Sequence, residues 1–197
     1  MGPFATRFIV ALTAALALGT NAQGSVLFSW ENDAEGWDGI DGFTQDSAGV
    51  TQGEYAAVVN VLEFTNIESQ WLTEIPEGLV GNDTLLVDLT LADIPDQSWH
   101  DVNAWLHLEG TDGDGWFAVS GPGQRLQSGT ISFNYGEARP SLTTGDANAV
   151  RFHIRMDTAG GWQGGDVYLD NLRAIPEPTS LGLVALGALG LLLRRRR

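Results

Sequence analysis

Between residues 25 and 175 the chain alternates apolar and polar residues in short runs broken by Gly, Asp, Asn and Pro, and holds no amphipathic helical stretch of ten residues. Leu85, Val87, Leu89 and Leu91 interleave with Leu86, Asp88, Thr90 and Ala92. Val102, Ala104, Leu106 and Leu108 interleave with Asn103, Trp105, His107 and Glu109. Phe117 and Val119 alternate with Trp116, Ala118 and Ser120, and Val150, Phe152, Ile154 and Met156 with Arg151, His153, Arg155 and Asp157. Successive side chains of a strand point to opposite faces. Each run is therefore a strand with an aliphatic inner face and a polar or aromatic outer one. An opening strand around Phe28, an early strand at 54–62 and a closing strand at 167–172 complete the set, and the pattern predicts an all-β antiparallel sandwich.

The ends carry a different pattern. Residues 1–22 run from Arg7 through an apolar stretch, Phe8 to Leu18, to Thr20, Asn21 and Ala22. This is the layout of a secretion signal peptide cut after Ala22, with an apolar run too short for a comfortable membrane span. At the other end, Pro176, Glu177 and Pro178 precede an apolar run, Leu181 to Leu193, and then Arg194, Arg195, Arg196 and Arg197. The arginines would hold a short transmembrane helix with its C-terminus in the cytoplasm, leaving the domain outside. Proline-glutamate-proline, short apolar run and terminal arginine cluster, in that order, resemble the PEP-CTERM sorting signal. The resemblance implies processing by an exosortase in a bacterium that makes exopolysaccharide, and a protein held in the membrane only until its tail is cut. The expected organisation is thus 1–22 signal peptide, 25–175 β-sandwich domain and 176–197 sorting tail.

Charge narrows the partners. All ten basic residues are arginine, and residues 25–175 keep five of them against 24 carboxylates, a net charge of −19. That field repels phosphate backbones and anionic lipid, which excludes nucleic-acid binding. It suits a neutral glycan, a cationic partner or Ca²⁺. The absence of cysteine removes disulfides, thiolate metal sites and thiol nucleophiles. No nucleophile elbow, P-loop or dinucleotide fingerprint is present.

The opening Phe28-Ser29-Trp30-Glu31-Asn32-Asp33-Ala34-Glu35-Gly36-Trp37 and the closing Val167-Tyr168-Leu169-Asp170-Asn171-Leu172 resemble jelly-roll carbohydrate-binding modules and galactose-binding-like domains. The resemblance implies glycan binding on one sheet face. Trp105, His107, Trp116, Arg151, His153, Arg155 and Asp88 would form that face if their strands are neighbours, since sugars stack their C–H faces on aromatic rings and need directional polar groups for their hydroxyls. Alternatively, loops cover the face and the tryptophans form a second core layer. His107 and His153 are also a two-histidine metal pair lacking an evident third ligand. Trp30 and Trp37 are expected in the core, and Trp71, Trp99 and Trp162 beside turns are either ligand contacts or hydrophobic lids. The same resemblance implies one structural Ca²⁺ held by Glu31, Asp33, backbone near Gly53 and Asp170, hard oxygen donors of the kind Ca²⁺ takes; the other reading is that these acids cap turns. Asp112-Gly113-Asp114-Gly115 reads as a hairpin turn.

Three functions remain: a non-catalytic exported polysaccharide-binding protein, a structural matrix or adhesion protein, and a glycan-active enzyme using the i, i+2, i+4 carboxylates Glu31, Asp33 and Glu35. The last would require those three to share one face of a strand.

Overall fold

The computed structural model describes residues 24–175 apart from 93, 95–99, 111–115, 121–122 and 159–163. The signal peptide, the sorting residues Pro176, Glu177, Pro178 and Arg194 to Arg197, the Asp112–Gly115 turn, Trp99, Trp162 and the side chain of Trp116 lie outside the described residues. Along the chain come β1 (Ser25–Phe28), β2 (Trp37–Asp38), β3 (Gly42–Thr44), β4 (Ala56–Val61), β5 (Phe64–Ser69), the single helical turn α1 (Glu77–Val80), β6 (Thr84–Leu91) and β7 (Asp101–Gly110). Then follow β8 (Trp116–Ser120), β9 (Gln124–Arg125), β10 (Gly129–Asn134), a 3-10 turn at Gly136–Ala138, α2 (Arg139–Thr144), β11 (Ala147–Asp157) and β12 (Gly165–Ile175).

The strands form two antiparallel six-stranded sheets. The first has the order β10-β6-β12-β4-β3 with β1 also on β12, and the second β2-β5-β11-β7-β8 with β9 also on β7. The alternation seen in the sequence is what sorts the faces. Val102, Ala104, Leu106 and Leu108 of β7 meet Val150, Phe152, Ile154 and Met156 of β11 across the second sheet, and all eight are buried. Leu85, Val87 and Leu89 of β6, with Val167 and Leu169 of β12, line the facing layer.

One end of this core is aromatic. Phe28 meets Trp37 and Phe152 edge-on at 5.3 and 5.4 Å, and Trp30 meets Trp37 edge-on at 5.6 Å, the offset geometry that ring quadrupoles favour. Trp30 is 0% exposed, so the assignment of Trp30 and Trp37 to the core holds.

The outer face of the first sheet is roofed by the segment between β3 and β4. Asp170 Oδ2 accepts the backbone N–H groups of Thr51 and Gln52 at 2.6 and 2.7 Å, and Thr90 Oγ1 donates to the carbonyl of Ala48. Gly49 lies so tightly against the Tyr168 ring that any Cβ there would collide with it. This closes one sheet face and makes the outer face of the second sheet the place to look for a site.

Candidate functional site

Register fixes what the second sheet shows to solvent. His153 pairs with Glu68 of β5 on one side and Trp105 of β7 on the other; Arg155 pairs likewise with Asn66 and Asn103, and Arg151 with His107. Because Ile67, Ile154, Ala104 and Leu106 point inward, these polar and aromatic residues share the outer face. Trp105, His107, Arg151, His153 and Arg155, expected together, are together. In β8, Trp116 pairs with Glu109 and Ala118 with His107, which places Trp116 at a register position of the same sheet.

Asp88 is a correction. β6 lies in the first sheet, where Asp88 stands across from Asp170 and far from Trp105 in topology. Alternation tells which of two faces a side chain takes but not which sheet its strand joins. Asp88 is 8% exposed and paired with Arg173, whose Nη1 donates to its Oδ2 at 2.8 Å. Its Oδ1 accepts from Thr130 Oγ1 at 2.6 Å, while Thr51 Oγ1 and Asn171 Nδ2 donate to Oδ2. Burial alone would push this carboxyl up, but the hydrogen bonds from Arg173, Thr130 and Thr51, with the charge of Arg173, outweigh it and hold the group below its ordinary value of 3.8.

At the middle of the outer face, the His153 ring lies 4.8 Å from Trp105 and 5.6 Å from His107. His153 Nε2 is 2.9 Å from Asn66 Oδ1, and His107 Nε2 is 3.4 Å from His153 Nδ1. With Asn66 Oδ1 accepting, the His153 proton sits on Nε2 and its Nδ1 accepts from His107 Nε2–H. One proton per ring satisfies the chain. Burial lowers the pKa of His107 to about 4, helped by the charges of Arg151 and His153 against the opposing Glu68. His153 is lowered too, chiefly by burial, with Arg151 and Arg155 adding and Glu68 opposing. Both imidazoles are neutral at pH 7 and offer directional hydrogen bonds without charge.

The arginines of this face are already matched. Arg151 Nη1 donates to Glu68 Oε2 at 2.7 Å, and Arg155 Nε to Asp157 Oδ1 at 2.9 Å. Each also lies over an aromatic ring, Arg151 over Trp71 and Arg155 over Phe64, both at 5.1 Å to the ring centre. Trp71 thus joins the face. Phe64 and Asn66 are residues that sequence reasoning missed, because β5 contributes only Ile67 as a buried aliphatic residue and shows little alternation.

The opening acids do not form a catalytic strand. Trp30 and Glu35 take positive φ of 53° and 48°, and the intervening residues form a turn. Glu35 accepts from the N–H groups of Ser29 and Trp30, and exposed Asp33 Oδ1 accepts Glu35 N–H at 2.7 Å. Both carboxylates are engaged in closing that turn.

Glu31 and Asp170, by contrast, grip the same loop from two sides. Glu31 Oε2 accepts Glu54 N–H at 2.8 Å, and Gly53, at φ 79°, packs against the Glu31 carboxylate, which would have to shift to admit a Cβ. Asp170 is 0% exposed and holds Thr51 and Gln52 with Oδ2. Glu31 Oε1 and Asp170 Oδ1 are each buried without a hydrogen-bond partner. Carboxylate oxygens without a hydrogen-bond partner are the hard donors that a cation such as Ca²⁺ takes. Among the described residues no three His, Cys, Asp or Glu side chains gather as a metal centre, so His107 and His153 remain a pair, and the expected set Glu31, Asp33 and Asp170 does not come together, Asp33 being turned to the Glu35 amide. No helix among the described residues is long and apolar enough to cross a membrane.

Residues 174–197 match the PEP-CTERM protein-sorting motif. No curated protein sequence matches the chain. Among solved structures, the chain is similar to one described as showing the promiscuous specificity of carbohydrate-binding modules of the β-sandwich superfamily, with a TM-score of 0.51 and 13% identity. That match covers 77% of this chain and 62% of the other, so the chain spans less than two thirds of it. The chain is similar as well to the CBM22-1 xylan-binding domain from Paenibacillus barcinonensis Xyn10C, at 13% identity and TM-score 0.48 over 78% of this chain and 96% of that one. A non-crystalline cellulose specific module, CBM28, matches at 19% identity and TM-score 0.45 over 77% and 94%. The fold is that of a carbohydrate-binding-module β-sandwich.

Proposed function

We propose that the chain is an exported, non-catalytic protein that binds a neutral polysaccharide on the outer face of its second sheet, at the cell surface or within an exopolysaccharide layer. The observation that carries this reading is Trp105, half-buried in the centre of that face, with a row of neutral or neutralised hydrogen-bonding groups, Glu68, His153 and His107, around it. A sugar needs that pairing of an apolar plane with directional donors and acceptors. The sorting motif supports export, with an exosortase as the partner that processes the tail. The engagement of Glu35 and Asp33 in a turn weighs against a glycan-active enzyme using them.

The test is titration of the purified full chain with xylan, mixed-linkage β-glucan and amorphous cellulose, followed by tryptophan fluorescence. Saturable binding is expected to at least one polymer, and Trp105→Ala should weaken it by about tenfold or more, in the range that loss of a stacked aromatic costs. Absence of saturable binding by the wild-type chain to all three polymers would favour the structural matrix or adhesion reading.

The opening loop is proposed to hold one Ca²⁺, with Glu31 and Asp170 as side-chain ligands. Asp33, turned to the Glu35 amide, is the weakest member of the expected set. Bound Ca²⁺ would neutralise the two carboxylates and tie the roof of the first sheet to β12. Its effect is expected as a rise in thermal midpoint: at a concentration 100 times the dissociation constant, about 2.7 kcal/mol, or several degrees for a chain this size. An equal midpoint in Ca²⁺ and in chelator would refute the site, and Asp170→Asn should remove the response.

A further inference from the structure

Along β11 the outward residues come at every second position, Arg151, His153 and Arg155, and each is backed by an aromatic ring from a neighbouring segment. The Trp71 ring, just past β5, stacks against Arg151; Trp105 of β7 lies beside His153; the Phe64 ring at the start of β5 stacks against Arg155. The distances are 5.1, 4.8 and 5.1 Å, the Trp105–His153 pair being tilted by 38°, and the rings flank β11 from the β5 side, the β7 side and the β5 side. An aromatic ring has two faces, so a planar cation or imidazole on one braces the ring and leaves the other for a ligand. Phe64 shows this most clearly, being 59% exposed although stacked by Arg155.

We infer that these three pairs are successive stations for one linear, neutral polysaccharide that lies along β11, and that Phe64 and Trp71 are its outer binding residues. The inference rests on the reading of this face as glycan-binding. By register the three rings stand level with Arg151, His153 and Asp157 of β11, about 6 to 7 Å and then about 13 Å apart along the strand. That exceeds one sugar ring, so a monosaccharide or chain end touches one station only, whereas the interior of a polymer meets all three. The charge argument selects a neutral chain. Arg151 is already neutralised by Glu68 and Arg155 by Asp157, and residues 25–175 carry a net charge of −19, a field that repels an anionic chain. The cations hold the rings in place, and the rings hold the sugar.

The test is calorimetric titration of the full chain with cello- and xylo-oligosaccharides from disaccharide to hexasaccharide, alongside polygalacturonate. Affinity is expected to climb about tenfold from disaccharide to tetrasaccharide in the series that binds. Phe64→Ala and Trp71→Ala should each erase most of that climb while leaving disaccharide affinity near wild type, and Phe64→Tyr should retain it. Thermal unfolding of each variant confirms that it is folded. Phe64→Ala and Trp71→Ala binding the tetrasaccharide as tightly as wild type, with Trp105→Ala still impaired, would overturn the three-station arrangement and leave the glycan face standing. Tighter binding of polygalacturonate than of either neutral series would overturn the neutral-chain assignment. Failure of the wild-type chain to bind any of these probes or the parent polymers would overturn the face and the stations together.

Discussion

Replacing Arg173 by methionine is expected to lower the free energy of unfolding by about 3 kcal/mol, because breaking a buried ion pair by removing one partner leaves the other charge stranded. Asp88 is the stranded group. It lies on the outer face of the first sheet under the 45–55 roof, with Arg173 across the bulge between Asp170 and Arg173. Its two oxygens collect donors from four residues in three other elements: Thr51 in the roof, Thr130 of β10, and Asn171 and Arg173 of β12. Neutral donors would still reach the carboxylate in the variant, which keeps the expected loss near the lower end for such pairs. Methionine keeps the aliphatic reach of arginine, so the loss reports charge and hydrogen bonding more than volume. The double variant Asp88→Asn with Arg173→Met should recover part of the stability, since it removes the uncompensated charge. Urea unfolding of the three proteins measures this. An Arg173→Met loss under about 1 kcal/mol, the level of an exposed pair, would mean that the roof admits enough water to solvate Asp88.

The same residue marks the boundary of what the sequence discloses. Runs of four apolar residues at every second position place β7, β11 and most of β6, because each buries a full row of side chains, whereas β12 is marked only by Val167, Leu169 and Leu172 before its bulge breaks the period. β2, β3 and β9 have two or three residues, too few for any period to register. Asp88 was grouped with Trp105 because alternation assigns a face within a strand, while the partner strands, β10 and β12, are chosen by contacts some 40 and 80 residues away. From the sequence Trp71 is either a lid or a ligand contact; the bridge of Leu72 to Val150 sets it beside Arg151. Glu31, Asp33 and Glu35 share a spacing that suits a strand. Positive φ at Trp30 and Glu35 bends the backbone out of one, so the three side chains serve the turn and the neighbouring loop instead of one face.

The second large effect concerns acid. His107 is 5% exposed and its pKa is lowered from 6.5 to about 4, so the folded chain resists a proton that the unfolded chain takes up below pH 6.5. Between those two values the unfolded state binds more protons, and stability must fall as pH falls. The contribution is fully present above pH 6.5 and is lost progressively toward pH 4, by an amount approaching about 3 kcal/mol for His107 alone. His153, lowered by the same burial and by Arg151 and Arg155, acts in the same direction, and the His107 Nε2–H to His153 Nδ1 contact couples the two. Asp88 adds a later step, because a carboxyl held below 3.8 gives up its contribution only as pH falls past that value. Thermal midpoints measured from pH 8 to pH 3 should therefore be level above pH 6.5, decline from there to pH 4, and drop further below. His107→Gln keeps a neutral hydrogen-bonding group and should flatten the middle segment while leaving the low-pH drop. A decline of equal slope in His107→Gln would place its cause elsewhere. If the proposed glycan face is right, glycan affinity should follow the same middle segment, because Trp105 rests against His153 and protonation of the pair sets two cations beside each other at the centre of that face.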